Sequence, residues 1–251
     1  MTCDILKDKE RQSALEERFL RTYMLLGSEA MERLRRARIL LFGIGGVGGY
    51  AAEALARAGV GSLTLVDNDT VAASNINRQI IATDDTVGMP KTEAMRRRIA
   101  AINPDCHVNV HNTFYLPGTE GIISADYDFI IDAIDTVTAK IDLICKAKAL
   151  DIPIISCMGT GNKLHPELLT VTDLCKTSVC PLCRVMRTEL KKRGCTHVTV
   201  VYSPEKPRKP DPAYIDAASG KRQTPGSISF VPPAAGLLLA AHVVQTLTGL
   251  T

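Results

Sequence analysis

The fold is decided by a stretch near the N-terminus that reads Arg38-Ile39-Leu40-Leu41-Phe42-Gly43-Ile44-Gly45-Gly46-Val47-Gly48. Its apolar first half predicts a buried strand over Arg38–Phe42, and the small residues that follow predict a helix over Val47–Arg57. A second apolar run, Ser62–Val66, predicts another strand, and Asp67 follows it nineteen residues after Gly48. This order of strand, glycine loop, helix, strand and acidic residue is typical of a βαβ unit that binds a nucleotide.

The glycine loop by itself leaves three interpretations open: a dinucleotide site, an ATP site, or a tight turn without a ligand. Arg78 and Lys91 favour ATP, because two fixed cations suit a triphosphate under attack better than a hydride carrier such as NAD. Lys91 begins a predicted helix, where its charge opposes the helix dipole unless an anion such as phosphate lies beside it. Asp135 ends a strand predicted over 129–135, where it either caps the next helix or holds a magnesium ion.

The composition fits one α/β domain that spans residues 1–251. Hydrophobic residues make up 45% and charged residues 23%, which supports a sizeable core and argues against global disorder. The net charge of +3 is too small to indicate a nucleic-acid partner without local clustering. No secretion signal is visible, so the eight cysteines are expected to be reduced thiols in the cytoplasm.

Strands and helices continue to alternate along the chain and predict a Rossmann-like doubly wound sheet. We expect a parallel N-terminal half that is extended by antiparallel strands in the C-terminal half. The apolar segment 231–250 contains two prolines, His242 and Gln245, and is interpreted as a buried helix rather than a membrane span. The other predicted elements are a helix at 14–37 broken at Gly27-Ser28, a helix at 91–102, a strand at 108–110, a helix at 140–150, strands at 152–157, 168–173 and 198–202, a basic helix before the last of these, and a mobile loop at 203–227.

The spacing of the polar residues after the loop resembles the ubiquitin-activating, ThiF-like superfamily. Its members adenylate a carboxylate with ATP and magnesium, so the resemblance implies the same cofactors here. By position, Asp67 matches the ribose-binding aspartate, Arg78 and Lys91 match the phosphate-binding cations, and Asp135 matches the metal-associated aspartate. The nucleotide-binding residues implied by the resemblance are Gly43, Gly45, Gly46, Gly48, Asp67, Asp69, Asn75, Arg78, Gln79, Lys91 and Asp135.

A second motif, Arg18-Phe19-x-Arg21, resembles the N-terminal motif of the same superfamily. The second arginine of that motif reaches into the neighbouring subunit's site. The resemblance therefore implies that Arg21 is a catalytic arginine finger in trans and that the chain is a homodimer. The alternative is one more solvated charge on a helix.

The cysteines of the C-terminal part separate the branches of the superfamily. Sulfur-carrier activators typically bind a structural zinc through two Cys-x-x-Cys pairs, and here Cys180 and Cys183 form one pair without a second. Cys175 and Cys195 are the available substitutes, but zinc is not expected and reduced buried thiols are the preferred interpretation. In an activator, Cys195 is a candidate acyl or persulfide acceptor, although an inert thiol is the better interpretation.

The segments 173–193, 206–210 and 226–236 resemble the branch that dehydrates threonylcarbamoyladenosine in tRNA, and the resemblance then covers nearly the whole chain. It implies that residues 1–160 bind the nucleotide and that 161–251 serve substrate binding and dimerisation. The implied reaction uses ATP to cyclise the threonylcarbamoyl group on the adenosine beside the anticodon, with Arg21, Arg78, Lys91 and Asp135 as the catalytic residues. The candidate tRNA-binding residues are Arg184, Arg187, Lys191, Lys192, Arg193, Lys206, Arg208 and Lys209.

Three other functions stay open at this point. An adenylating activator of a ubiquitin-like sulfur carrier is the main alternative, and sulfur-relay proteins are candidate partners. An NAD-dependent oxidoreductase would leave Arg78 and Lys91 unexplained. A scaffold that binds nucleotide without catalysis is disfavoured by the intact cations.

Overall fold

The computed structural model describes residues 2–214 and 225–250, with side chains from residue 17 onward. Six α-helices and seven β-strands lie in these ranges. The helices are α1 Thr2–Arg36, α2 Gly48–Arg57, α3 Lys91–Ile102, α4 Val137–Ala149, α5 Pro181–Lys192 and α6 Val231–Thr248. The strands are β1 Arg38–Phe42, β2 Ser62–Val66, β3 His107–His111, β4 Phe129–Asp132, β5 Ile154–Cys157, β6 Thr170–Asp173 and β7 Thr199–Tyr202.

The strands form a single sheet with the order β3-β2-β1-β4-β5-β7-β6. The first six strands in this order are parallel, and the edge strand β6 is antiparallel to β7. The predicted α/β fold, a parallel sheet with an antiparallel addition in the C-terminal half, is therefore confirmed. The strand order reverses between β1 and β4, and ligands bind at the carboxyl ends of the strands beside such a reversal.

The helices cover both faces of the sheet. Helices α1, α2, α3 and α6 contribute to the larger core, and α4 and α5 pack on the other face. Helix α6 lies very close to α2, since a Cβ built on Gly236 would be 2.2 Å from the Val47 carbonyl oxygen. Among the described residues, α6 alone is long and apolar enough to cross a membrane, and half of it is buried inside the protein. This packing agrees with its interpretation as a buried helix.

The strand predicted over Phe129–Asp135 is too long. In the structure β4 ends at Asp132, residues 133–136 form a loop, and α4 begins three residues before the predicted start at Lys140. Asp132 is the last residue of the strand, and its side chain is buried and accepts a hydrogen bond from Ser156. Asp135 consequently lies in the loop and does not end the strand.

Two further predictions concern a break in the first helix and the loop after β7. The helix break predicted at Gly27-Ser28 is confirmed, because Gly27 has φ +79° and ψ 167° inside α1. In the loop predicted at 203–227, the described residues form one short 3-10 turn at Pro212–Tyr214. Residues 215–224, in the middle of that loop, lie outside the described residues.

Candidate nucleotide-binding site

A cavity of about 710 Å³ lies at the carboxyl ends of the central strands. It brings together ten of the eleven residues that the sequence implied for nucleotide binding, and Gly48 lies directly behind its wall. The predicted residues that line the cavity are Gly43, Gly45, Gly46, Asp67, Asp69, Asn75, Arg78, Gln79, Lys91 and Asp135.

The glycine loop forms one wall of the cavity. Gly43 has φ +88°, and a Cβ there would lie 2.7 Å from the Ala133 carbonyl oxygen. A Cβ on Gly48 would lie 1.7 Å from the Gly43 carbonyl oxygen, so the turn can close only with glycine at this position. Val47, the N-cap of α2, offers no side-chain hydrogen bond to the first turn. The Gly49 amide already donates within the loop, to the Gly45 carbonyl at 3.0 Å, so an anion such as phosphate would bind the other amides at the start of α2.

Asp67 orders the glycine loop as well as lining the cavity. Its carboxylate accepts hydrogen bonds from the Ile44 amide at 2.6 Å and from the Asp69 amide at 2.8 Å. The sequence predicted a ribose contact for this residue but not the bond to the loop, which depends on how β1 and β2 are placed side by side. A half-buried carboxylate in this position can accept further hydrogen bonds from ligand hydroxyls.

Lys91 is buried at the start of α3 and points to Asp69. The Lys91 Nζ lies 2.7 Å from Asp69 Oδ2, and the Lys91 amide donates to the Asp69 carbonyl at 3.0 Å. The carboxylate offsets the unfavourable interaction of the ammonium with the helix dipole. The sequence predicted an anion beside Lys91, and the Asp69 carboxylate is one such anion. This ion pair fixes the ammonium group at the wall of the cavity.

Arg78 and its neighbours occupy a short turn that packs against the glycine loop, since a Cβ on Gly46 would lie 3.3 Å from Arg78 Cγ. The Arg78 guanidinium donates to the Ser74 carbonyl at 2.9 Å and to Asn77 Oδ1 at 2.8 Å. Asn75 stabilises the same turn, because its Oδ1 accepts a hydrogen bond from the Ala72 amide at 3.1 Å. These contacts hold the guanidinium in place and leave it on the lining of the cavity.

Gln79 carries the one buried side-chain oxygen or nitrogen without a partner among the described residues, its Oε1 atom. Buried polar atoms in native proteins almost always have a partner, so an unpaired one on a cavity wall indicates a ligand or water that donates a hydrogen bond. Gln79 is 6% exposed and lies close to Gly45. This atom is the structural observation that most directly supports a polar ligand in the cavity.

The loop that carries Asp135 rests on a buried ion pair that sequence reasoning missed. Asp132 and Lys140 are both fully buried, with Lys140 Nζ 2.9 Å from Asp132 Oδ2. The same ammonium donates to the Ile134 carbonyl at 2.9 Å, and Ser156 Oγ donates to Asp132 at 2.5 Å. The available signal was an acidic residue inside an apolar strand, followed by a lysine in the next helix.

Asp135 is exposed and lines the cavity. No group of three or more His, Cys, Asp or Glu residues suited to a metal occurs in the described part of the chain. Magnesium, however, usually binds nucleotide-dependent proteins through one or two carboxylates, with water and phosphate oxygens completing its coordination. The donor set therefore fits a magnesium ion that arrives with a nucleotide, and does not fit a metal held by the protein alone.

Arg21 lies on α1, is exposed, and does not line this cavity. The predicted role in catalysis therefore requires that it reach the cavity of a second copy of the chain.

The comparison with protein families agrees with this geometry. The sequence model of one protein family, described as "ThiF family", matches residues 19–251 of the chain. The chain belongs to the ThiF family. A relative from Bacillus subtilis, a tRNA threonylcarbamoyladenosine dehydratase, is 42% identical over 91% of this chain and 94% of its own length. The crystal structure of the Escherichia coli tRNA N6-threonylcarbamoyladenosine dehydratase in complex with ATP covers 93% of this chain and 95% of its own, with 35% identity and a TM-score of 0.82.

This chain is also similar to an enzyme from a different branch of the ThiF family, but over a shorter part of its length than to the dehydratases. The molybdopterin-synthase adenylyltransferase of Escherichia coli is 36% identical over 66% of this chain and 65% of its own length. The resemblance to the dehydratase branch that the sequence suggested is confirmed by the longer matches.

The cysteines of this ThiF-family chain lie mostly outside the cavity. Cys157 lines it, and burial raises the pKa of its thiol to about 12, so it is not a nucleophile. Cys180 and Cys183 are buried at the start of α5 and do not line the cavity. A hydrogen bond from Cys183 lowers the pKa of Cys180 to about 5, and the same contact raises that of Cys183. Cys195 does not line the cavity either, which argues against an acceptor role.

The cations predicted to bind tRNA differ in their exposure and in whether they already have a partner within the protein. Arg187 is half-buried and donates to the Thr177 carbonyl at 2.9 Å, so it has a structural partner inside the protein. Lys192 and Arg193 are exposed but both pair with Glu189, at 2.6 and 2.9 Å. The remaining members of the predicted set are exposed on α5 or on the loop after β7, namely Arg184, Lys191, Lys206, Arg208 and Lys209.

Asn162 follows Gly161 of the cavity wall and bonds to two described parts of the loop after β7. The Arg208 amide donates to the Asn162 carbonyl at 2.7 Å, and the Gly226 amide donates to Asn162 Oδ1 at 2.7 Å. Gly226 and Ser227 line the cavity, and the Ser227 carbonyl accepts a hydrogen bond from Asn77. The segment 206–209, called the basic loop below, is therefore bonded at Arg208 to the residue that follows the cavity wall.

Proposed function

We propose that this ThiF-family protein uses ATP to dehydrate the threonylcarbamoyl group on the tRNA adenosine beside the anticodon, which closes the group into a ring. The observation that carries the proposal is the cavity, where Arg78, Lys91 and Asp135 surround space for a nucleotide in a chain 42% identical to a named dehydratase. The cations suit phosphate, and Asp67 and Gln79 offer acceptors for the hydroxyl or amino groups of a nucleoside.

The chemistry requires activation, because a carboxylate is a poor electrophile. A carboxylate oxygen of the threonine attacks the α-phosphorus of ATP, which forms an acyl adenylate and releases pyrophosphate. The carbamoyl group of the same side chain then attacks the acyl carbon and expels AMP with that oxygen. No protein nucleophile is needed, which agrees with the buried, high-pKa thiol of Cys157 at the cavity.

The residues of the cavity act by binding and by stabilising charge. Arg78 and Lys91 would contact the phosphates and stabilise the negative charge that develops during attack. The amides that begin α2 would bind phosphate oxygens. Asp135 would hold magnesium, which when bound neutralises part of the charge of the triphosphate. The Asp132–Lys140 pair supports the loop that presents Asp135.

The proposal includes a homodimer in which Arg21 of one copy completes the cavity of the other. Its support is that Arg21 is exposed, away from its own cavity, on a helix that also exposes Met24 and Leu25 at 75% and 82%. Exposed apolar side chains of this size are common at interfaces between copies. An arginine added in trans would stabilise the charge on the phosphates at the moment of attack.

The tRNA would lie against the exposed cations of α5 and of the loop that begins at Ser203. Two observations support this placement: several of these cations are exposed, and hydrogen bonds join Arg208 and Gly226 to Asn162, which follows Gly161 of the cavity wall. Each contact to a tRNA phosphate would release counterions and make binding depend on salt. We therefore expect the protein to act in the cytoplasm, where its proposed tRNA and ATP substrates are present.

The decisive experiment incubates the protein with ATP, magnesium and threonylcarbamoylated tRNA, digests the tRNA, and measures the mass of the modified adenosine. The proposal predicts the loss of one water that depends on ATP. The alternative function is an adenylating activator of a ubiquitin-like sulfur carrier, supported by the similarity of 66% of this chain to the molybdopterin-synthase adenylyltransferase. ATP consumption only with such a carrier would contradict the dehydratase proposal and support both the alternative and sulfur-relay partners.

A further inference from the structure

Cys145 and Cys195 lie side by side although they are 50 residues apart in the chain. Cys145 is on α4, and Cys195 is in the turn that follows α5. Their sulfur atoms are 3.3 Å apart, and both side chains are half-buried. The two thiols therefore touch at a place that small solutes can reach.

Both cysteines are held in position by regular backbone structure. Cys145 lies in the third turn of a 13-residue helix. The Cys195 amide donates to the Leu190 carbonyl at 3.0 Å, and Gly194, with φ +70°, donates to the Lys191 carbonyl at 3.1 Å. These are the hydrogen bonds of a helix C-cap, so the turn that presents Cys195 is fixed relative to α5.

We infer that Cys145 and Cys195 form a site of reversible oxidation, at which a two-electron oxidant of the peroxide class converts the two thiols into a disulfide. The thiolate of one cysteine attacks the peroxide, forms a sulfenic acid and releases one water. The second thiol attacks the sulfenic sulfur and releases another water, so two thiols and one hydrogen peroxide give one disulfide and two waters. A thiol-based reductant reverses the reaction by exchange.

The environment decides which thiol reacts first. Burial raises the pKa of Cys145 to about 11, and its contact with Cys195 acts in the same direction. We therefore expect Cys145 to be mostly in the thiol form at neutral pH. Cys195 lines a small surface pocket and Cys145 does not, so we assign Cys195 as the thiol that attacks the oxidant and Cys145 as the thiol that resolves the sulfenic acid.

The disulfide would join α4 to the end of α5 and close a loop that contains all of α5. A cross-link of this length restricts the unfolded chain and raises the stability of the native state. The Tm of the oxidised protein should therefore lie several degrees above that of the reduced protein.

Cys175 is the competing partner, because it is exposed and lines the same small surface pocket as Cys195. The test treats the full-length protein with hydrogen peroxide, blocks free thiols, digests without reduction, and identifies linked peptides by mass spectrometry. The expected result is a peptide pair that joins Cys145 to Cys195, is lighter by two hydrogens, and disappears after reduction. A Cys175–Cys195 link, or no link while Cys175 is oxidised, would overturn the inference.

Serine variants give an independent measurement. The rise in Tm upon oxidation should persist in Cys175→Ser and be lost in both Cys145→Ser and Cys195→Ser. If either of these last two variants does not fold, the peptide map of the unaltered protein still decides. A rise in Tm that survives in a folded Cys195→Ser variant would contradict the assignment.

Discussion

Lys91 both forms an ion pair within the protein and presents its ammonium group to the cavity. Its ammonium is 2.7 Å from an exposed carboxylate, Asp69, and it also lines the cavity. A buried lysine next to a helix N-terminus needs an anion nearby, and the carboxylate provides one before any ligand binds. A bound triphosphate would add a second anion to the same group.

Replacement of Lys91 by alanine should remove catalysis while leaving the fold intact. The partner carboxylate is 59% exposed, so water can solvate it when the ammonium is lost. We expect kcat/KM for tRNA dehydration to fall by about 100-fold or more, the range found when a group that stabilises developing charge is removed. Lys148→Ala, an exposed lysine of α4 that does not line the cavity, is the matched control and should keep its activity. Full activity of Lys91→Ala would exclude the lysine from the mechanism.

At the scale of elements, β4 and α4 are joined by the buried Asp132–Lys140 pair. Neither side chain has measurable exposure, and Ser156 and the Ile134 carbonyl complete their hydrogen bonds. This arrangement fixes the loop between the two elements and hence the position of Asp135.

The change Lys140→Met should destabilise the protein by about 3–5 kcal/mol, because it leaves the Asp132 carboxylate buried and unpaired. Lys146→Met is the control on the same helix, since its pair with Asp142 is partly exposed and should contribute about 1 kcal/mol or less. Denaturant unfolding of both variants measures the difference. Equal losses of unfolding free energy would show that the buried pair is not a structural support.

The elements differ in how well the sequence predicts them. The bounds of β1, β2 and α3 agree with the prediction, because apolar runs there end at glycine, aspartate or asparagine. The prediction for the end of β4 is wrong because the apolar run contains two aspartates, Asp132 and Asp135. The buried ion pair with Lys140 distinguishes Asp132 from Asp135, and it is a tertiary contact. The family resemblance predicted a set of residues that the structure places around one cavity. The Asp67–Ile44, Asp69–Lys91 and Cys145–Cys195 contacts join distant segments, so local sequence patterns do not predict them.

At the scale of the whole molecule, the proposed homodimer gives a test by subunit mixing. Arg21→Ala and Lys91→Ala should each be inactive alone, since every cavity then lacks one group. After subunit exchange in an equimolar mixture, half of the dimers are hybrids of the two variants. Each hybrid has one intact cavity, in which Lys91 comes from one copy and Arg21 from the other. Activity should return to about a quarter of that of the unaltered dimer. A mixture that stays inactive after verified exchange would contradict the role in trans.

The basic loop should determine how strongly tRNA binding depends on salt. A triple alanine variant of Lys206, Arg208 and Lys209 should lower the slope of log affinity against log salt concentration by about 2 to 3, one counterion for each lost phosphate contact. The control is the double alanine variant of Arg96 and Arg97, an exposed pair on α3 that is bound to Glu93. Its slope should not change, and equal slopes for both variants would remove the loop from the tRNA interface.

The central claim is that the cavity uses ATP to adenylate a carboxylate of the modified tRNA. The most direct measurement labels both carboxylate oxygens of the threonylcarbamoyl group with oxygen-18 and follows the label by mass spectrometry of the nucleotides. Adenylation and ring closure predict one labelled oxygen in AMP and one retained in the cyclised adenosine. Label in inorganic phosphate, or ring closure without label in AMP, would contradict the claim.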